Sequence, residues 1–101
     1  MTKNGFEIPS SDLAALCRKW RVAELALFGS VLRADFRPDS DIDVLVTFAP
    51  DATWDLMDVV TMKDELEALL GRPVDLVEKP AIRNPILRRE ILARNEVVYA
   101  A

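Results

Sequence analysis

The sequence predicts a mixed α/β (α+β) fold, a mixed β-sheet of three to four strands flanked by about four helices, and three observations carry that expectation. Residues 41–48, DIDVLVTF, alternate with the period of a strand: Ile42, Val44, Val46 and Phe48 share one face, while Asp41, Asp43, Leu45 and Thr47 share the other. Residues 23–28 are nearly all apolar and stop at Gly29-Ser30, the look of a short buried strand. Between residue 48 and the third short strand, Pro73 to Val77, the apolar Trp54, Met57, Val60, Leu66, Leu69 and Leu70 recur at near-helical spacing. Gly71 is well placed as their stop, so the longest helix is expected from Thr53 to Leu70.

The remaining elements follow in order. Ser10 and Ser11 precede Leu13, Leu16, Cys17 and Trp20, spaced i, i+3, i+4, i+7, which predicts a capped amphipathic helix from Ser11 to Trp20 with Cys17 in the core. Ser30 to Asp35 has room for one or two helical turns before Pro38 and Asp39 force a turn. Asn84-Pro85 reads as an N-cap with proline at the first helical position, opening a helix to Ala93, and Val97 to Tyr99 reads as an edge strand. A helix joining two strands makes a crossover, so the strands at 41–48 and 73–77 should be parallel. Only the twelve residues 29–40 separate the first two strands, which favours an antiparallel pair and brings Gly29-Ser30 close to Asp41.

The chain has 101 residues, half of them hydrophobic and 30% charged, a balance that suits one globular domain spanning 1–101. Seventeen acidic against thirteen basic residues give a net charge of −4, the wrong sign for broad attachment to DNA or to an anionic membrane. No run of eighteen apolar residues exists, and the opening MTKNGFEIPSSD lacks the layout of a secretory signal, so a cytoplasmic location is expected. Cys17 is the only cysteine and histidine is absent, which removes an internal disulfide, the commonest general base and the commonest zinc ligand. Chemistry here has to run on carboxylates, hydroxyls, arginines and backbone amides.

Asp41 and Asp43, two apart on a strand, should project from one face with Cα atoms roughly 6.5–7 Å apart. Two unit charges at ~6 Å repel by about 3 kcal/mol at an effective dielectric of 20, so such a pair calls for a wet site or a neutralising cation. With no histidine or nearby thiol the ligands are hard oxygens, suited to Mg²⁺ or Mn²⁺. Asp75 stands near the start of the third strand, where a parallel crossover would set it across from Asp43, and the three aspartates could converge. Gly29-Ser30 lies where a strand becomes a short helix, a place for backbone N–H groups to cradle phosphate. Phosphate beside paired carboxylates needs a divalent cation between them, so cradle and metal site imply each other.

Gly29-Ser30, ten intervening residues and then Asp41-Ile42-Asp43 resemble the signature of the polymerase-beta-like nucleotidyltransferase superfamily. The surrounding LFGSVLRADFRPDSDIDVLV and LLGRPVDLV are similar to its minimal nucleotidyltransferase (MNT) branch, the likeness covering residues 23–80. The resemblance implies a mixed-sheet nucleotidyltransferase core, Mg²⁺ (two ions, with Mn²⁺ as a substitute) held by Asp41 and Asp43, and Gly29 and Ser30 on the phosphates of ATP. It implies Asp75 as the third acidic residue, activating an acceptor hydroxyl and sharing a metal. Arg33 is motif-adjacent and expected on phosphate or partner, although Ala34 stands where the family has glycine. Ser40 reads as the cap of the turn before the strand, where its hydroxyl could orient Asp41 toward the nucleotide.

Members of this branch pair with a small all-helical HEPN toxin, which the MNT protein neutralises by transferring AMP to it. The resemblance therefore implies a protein adenylyltransferase antitoxin, with a non-catalytic antitoxin acting by binding as the alternative. A small-molecule transferase is a weaker expectation, since such enzymes carry extra helical substrate-binding segments. Lys79, Arg83, Arg88, Arg89 and Arg94 against Glu90 make residues 79–94 basic by +4, either as a solvated helix face or as a patch for an acidic partner or triphosphate. Trp20, Trp54 and Met57 read as core rather than as base-stacking platforms.

Overall fold

Pairing of the two central strands organises the chain. The computed structural model describes residues 2–3, 6–33, 37, 40–79 and 82–101. In order these form β1 (Thr2–Lys3), β2 (Phe6–Glu7), α1 (Ser10–Lys19), β3 (Val22–Phe28), a 3-10 turn (Gly29–Leu32), β4 (Ile42–Phe48), α2 (Leu56–Leu70), β5 (Val74–Glu78), α3 (Pro85–Ala93) and β6 (Asn95–Ala100). β3 runs antiparallel to β4, β4 parallel to β5, and β6 closes the other edge antiparallel to β3, giving the order β5-β4-β3-β6. The mixed sheet and both strand directions inferred from connection lengths are thus present. Among the described residues three α-helices and the 3-10 turn stand in place of about four helices.

Several boundaries differ, each for a local reason. The helix expected from Ser11 begins at Ser10, and Pro9 rather than a serine takes the cap position without a side-chain cap bond. Thr53 and Trp54 are not helical: Asp55 accepts from the Asp58 N–H while Asp58 accepts from the Asp55 N–H, and this reciprocal cap starts α2 at Leu56. The start at Leu56 also sets the helix phase. Met62, Leu66, Leu69 and Leu70 face the core, whereas Met57 and Val60, expected inside, are exposed. Asp41 stands one residue outside β4, because the ladder to β5 opens with the Ile42 N–H donating to the Pro73 carbonyl at 2.9 Å. The edge strand β6 is longer than residues 97–99, and the pair β1–β2 adds to the expected elements. The turn at Pro38 and Asp39 and the continuation of a helix through Ala34 and Asp35 lie outside the described residues.

Two apolar layers sandwich the sheet. On one face α1 and α2 cover Leu25, Leu27, Ile42, Val44 and Val46 with Leu13, Cys17, Met62 and Leu66. Trp20 joins this layer as core. Its Nε1 donates to Glu65 Oε1 at 3.0 Å, its carbonyl accepts from Trp54 Nε1 at 2.8 Å, and Lys19 meets Glu65 at 2.9 Å. Burial pushes the Cys17 thiol up to about 11, so it packs protonated as a small hydrophobe. On the other face Ala26 and Leu45 lie beneath Ile82 and Ile91, with Phe28 and Val77 packed at the edge of this smaller cluster. Leu66 has no exposed surface; Leu66→Ala should cost about 2–5 kcal/mol in urea unfolding, and a smaller loss would mean that α2 is not part of the cooperative core. No helix among the described residues is long and apolar enough to cross a membrane.

Candidate active site

Antiparallel β3–β4 pairing sets the end of β3 beside the start of β4, and parallel β4–β5 pairing sets the start of β5 beside them. The register makes this concrete, with Phe28 opposite Asp43 and Asp43 opposite Asp75. Gly29, Ser30, Asp41, Asp43 and Asp75 therefore collect at one end of the sheet. Asp43 points to the face of Leu45 and α3, the same face as Asp75 and Val77, since residues two apart on a strand share a side.

Gly29 comes closest to Asp43. It holds φ +73°, which L side chains rarely adopt, and a Cβ placed on it would overlap the Asp43 carboxylate. The 3-10 turn is anchored by Val31, fully buried, and closed by the Arg33 N–H donating to the Ser30 carbonyl at 3.0 Å. The Ser30 N–H donates to the Asp43 carboxylate, so a donor of the expected phosphate cradle also orients the carboxylate. Burial first, then the charges of Asp75 and Asp41, raise the Asp43 carboxyl above its ordinary value, and the Ser30 N–H offsets only part of this. Asp43 is half-buried, while Asp41 and Asp75 are exposed.

A half-buried carboxylate held among like charges is short of a positive partner, and a hard divalent cation fits this all-oxygen donor set. Among the described residues no group of three carboxylates forms a ready ligand cage, so the three aspartates make a cluster of mutually repelling charges rather than a closed coordination sphere. Ser40 lies in a turn, its N–H donating to the Arg37 carbonyl at 3.1 Å. Arg72, which no sequence motif singles out, holds that turn from the start of β5: its Nη1 donates to the carbonyls of Arg37 at 3.2 Å and Ser40 at 3.5 Å. Arg33, exposed just after the 3-10 turn, borders a cavity of about 700 Å³ that opens beside Gly29 and has the second half of α3 as its far wall.

A mixed sheet that gathers a glycine-serine turn and aspartates from two neighbouring strands at one end defines a nucleotidyl-transfer core. The family of the nucleotidyltransferase domain matches residues 13–98. A Methanocaldococcus jannaschii protein, provisionally named a protein adenylyltransferase, is 42% identical over 84 residues, 83% of this chain and 82% of that one. The protein adenylyltransferase MntA of Thermococcus cleftensis is 37% identical over 84 residues, 83% of this chain and 80% of its own. In fold, the chain resembles a toxin-antitoxin crystallised with AMP-PNP, at TM-score 0.73, 22% identity and coverage of 93% of this chain and 75% of that one. It also resembles a chain of a tri-AMPylated Shewanella oneidensis HEPN toxin in complex with MNT antitoxin, at TM-score 0.63, 21% identity and coverage of 91% and 70%. The chain belongs to the nucleotidyltransferase-domain family, in its minimal nucleotidyltransferase branch, and is a nucleotidyltransferase.

Proposed function

We propose that this protein is an Mg²⁺-dependent adenylyltransferase that moves AMP from ATP to a side-chain hydroxyl of a helical HEPN-type toxin, and so acts as its antitoxin in the cytoplasm. The observation that carries this reading is the meeting of Asp43 with Asp75 across β4 and β5 and with the Gly29-Ser30 turn across β3 and β4. The AMPylated toxin in the Shewanella complex and the adenylyltransferase name of the Thermococcus relative support the choice of reaction and partner.

Asp41 and Asp43 would hold the cations, with Asp75 sharing one. Bound there, divalent ions supply Lewis-acid stabilisation of charge on the attacking and leaving oxygens. Gly29 leaves room for the nucleotide to approach the backbone, and the N–H groups of the 3-10 turn orient the β and γ phosphates. Arg33 meets phosphate at the turn's exit, and Ser40 sets the loop that leads to Asp41. The acceptor hydroxyl attacks the α-phosphorus, its proton passes to Asp75, the P–O bond to the β-phosphate breaks, and pyrophosphate leaves. Residues 1–101 serve as one domain in this scheme, with the partner bringing the acceptor.

The test is transfer from α-labelled ATP to the co-expressed partner with Mg²⁺. Wild type should label the partner and an Asp41→Ala/Asp43→Ala variant should not, while still co-purifying with it. Protection of cells by that inactive variant would replace the proposal with neutralisation by binding alone.

A further inference from the structure

We infer that Arg89 and Arg94 of the α3 segment, which face the Gly29 turn across a shared cavity, bind the leaving pyrophosphate. The inference rests on the transfer reaction proposed above and adds to it two binding residues on an element that carries none of the motif.

The order of the sheet sets the direction in which the nucleotide lies. Across the site end the strands run β5, β4, β3, β6, which places Asp75, Asp43 and Gly29 in that sequence at spacings of about 4.8 Å per strand. In-line displacement puts attacking and leaving oxygens on opposite sides of the α-phosphorus. With Asp75 serving the acceptor at the β5 side, the β and γ phosphates extend the other way, past Gly29 and toward α3. The space they enter is the cavity of about 700 Å³ lined by Gly29 and Arg33 on one wall and by Arg89, Glu90 and Arg94 on the other.

Its chemistry suits that occupant. Three arginines face one glutamate in a chain whose net charge is −4, so cationic side chains are concentrated here against the overall balance. Arginine offers a planar fork of donors that matches phosphate oxygens in pairs. Neighbouring Arg88 has a different task, its Nη1 donating to the Lys79 carbonyl at 3.1 Å and tying α3 to the end of β5. A solvated helix face would not explain why Arg89 and Arg94 line one cavity together with the turn that carries Gly29.

The experiment is calorimetric titration of the full chain with ATP, AMP and inorganic pyrophosphate in the presence of Mg²⁺, comparing wild type, an Arg89→Gln/Arg94→Gln variant and Arg88→Gln as a control. The double variant should lose about ten-fold or more in affinity for ATP and pyrophosphate, the scale of lost charge-assisted hydrogen bonds, and stay within about two-fold for AMP. Arg88→Gln should lower the melting temperature without changing that selectivity. Unchanged ATP and pyrophosphate binding in the double variant overturns the assignment, and loss of partner association with nucleotide binding intact reassigns these arginines to an acidic protein surface. Wild type that binds pyrophosphate through these residues but transfers nothing defeats the adenylyltransferase reading alone, whereas transfer at wild-type affinity by the double variant defeats the subsite alone.

Discussion

Gly29→Ala should abolish nucleotide transfer while leaving a folded protein. A Cβ at this position meets the Asp43 carboxylate first, its outer oxygen and then its carboxyl carbon, and the backbone holds φ +73°. The backbone penalty for alanine in the left-handed region is roughly 1–2 kcal/mol. The carboxylate is the far end of a rotatable side chain and can swing aside, so the overlap adds little to that cost. The swing is what matters for catalysis: it takes Asp43 off the Ser30 N–H and out of the place where a cation and the phosphates would meet. We expect at least about 100-fold loss of transfer, the scale of removing one preorganised transition-state contact, with a fall in melting temperature of about 4–16 °C for a domain of this size. Gly71 separates the two effects, since it holds φ +71° at the end of α2 with nothing within 4 Å of the place a Cβ would take. Gly71→Ala should carry a similar stability cost and keep full transfer. Equal transfer by the two variants would mean that the approach of Gly29 to Asp43 has no part in the reaction.

Much of the sheet end is legible in the sequence because it follows from connection lengths and period-two patterning. The short connection between Phe28 and Ile42 favours an antiparallel pair, and α2 is long enough for a crossover, which together bring Gly29, Asp43 and Asp75 to the same edge. What the pattern does not carry is the contact itself. That Gly29 sits against Asp43 depends on a positive φ and a side-chain direction, neither encoded in a spacing. The phase of α2 escapes the apolar pattern because Trp54 stands at helical distance, yet its indole is placed by the carbonyl of Trp20, a partner 34 residues away. The Asp55–Asp58 cap is the better signal for where that helix starts. Arg89 and Arg94 have only the basic run of residues 79–94, which leaves a solvated face, an acidic partner and a triphosphate equally open, and Arg72 has no signal of its own. A cation on a helix or loop shows nothing of the cavity or carbonyls it will meet, and the cavity exists only because Ile82 and Ile91 seat α3 over Ala26 and Leu45.

Asp43→Asn should raise stability and remove activity in the same molecule. Burial and the charges of Asp75 and Asp41 lift the Asp43 carboxyl above its ordinary 3.8. A carboxyl raised in the folded state holds its proton where the unfolded chain has released it. Its favourable contribution is therefore complete below about pH 3.8, and it is lost as pH rises through the raised value. At neutral pH the ionised side chain works against the fold. Asparagine keeps an oxygen to accept from the Ser30 N–H, removes the charge and spares the neighbours their repulsion. Its melting temperature should exceed wild type at pH 7, and the gap should close as pH falls below about 4, while transfer drops by about 100-fold or more. Mg²⁺ supplies the complementary reading. By binding only the folded state it should raise the wild-type melting temperature, an effect reversed by chelation, and raise that of the Asp43→Asn variant much less. A variant no more stable than wild type at neutral pH would mean that the carboxylate cluster is not strained. Equal Mg²⁺ stabilisation of both proteins would place the cation somewhere other than Asp43.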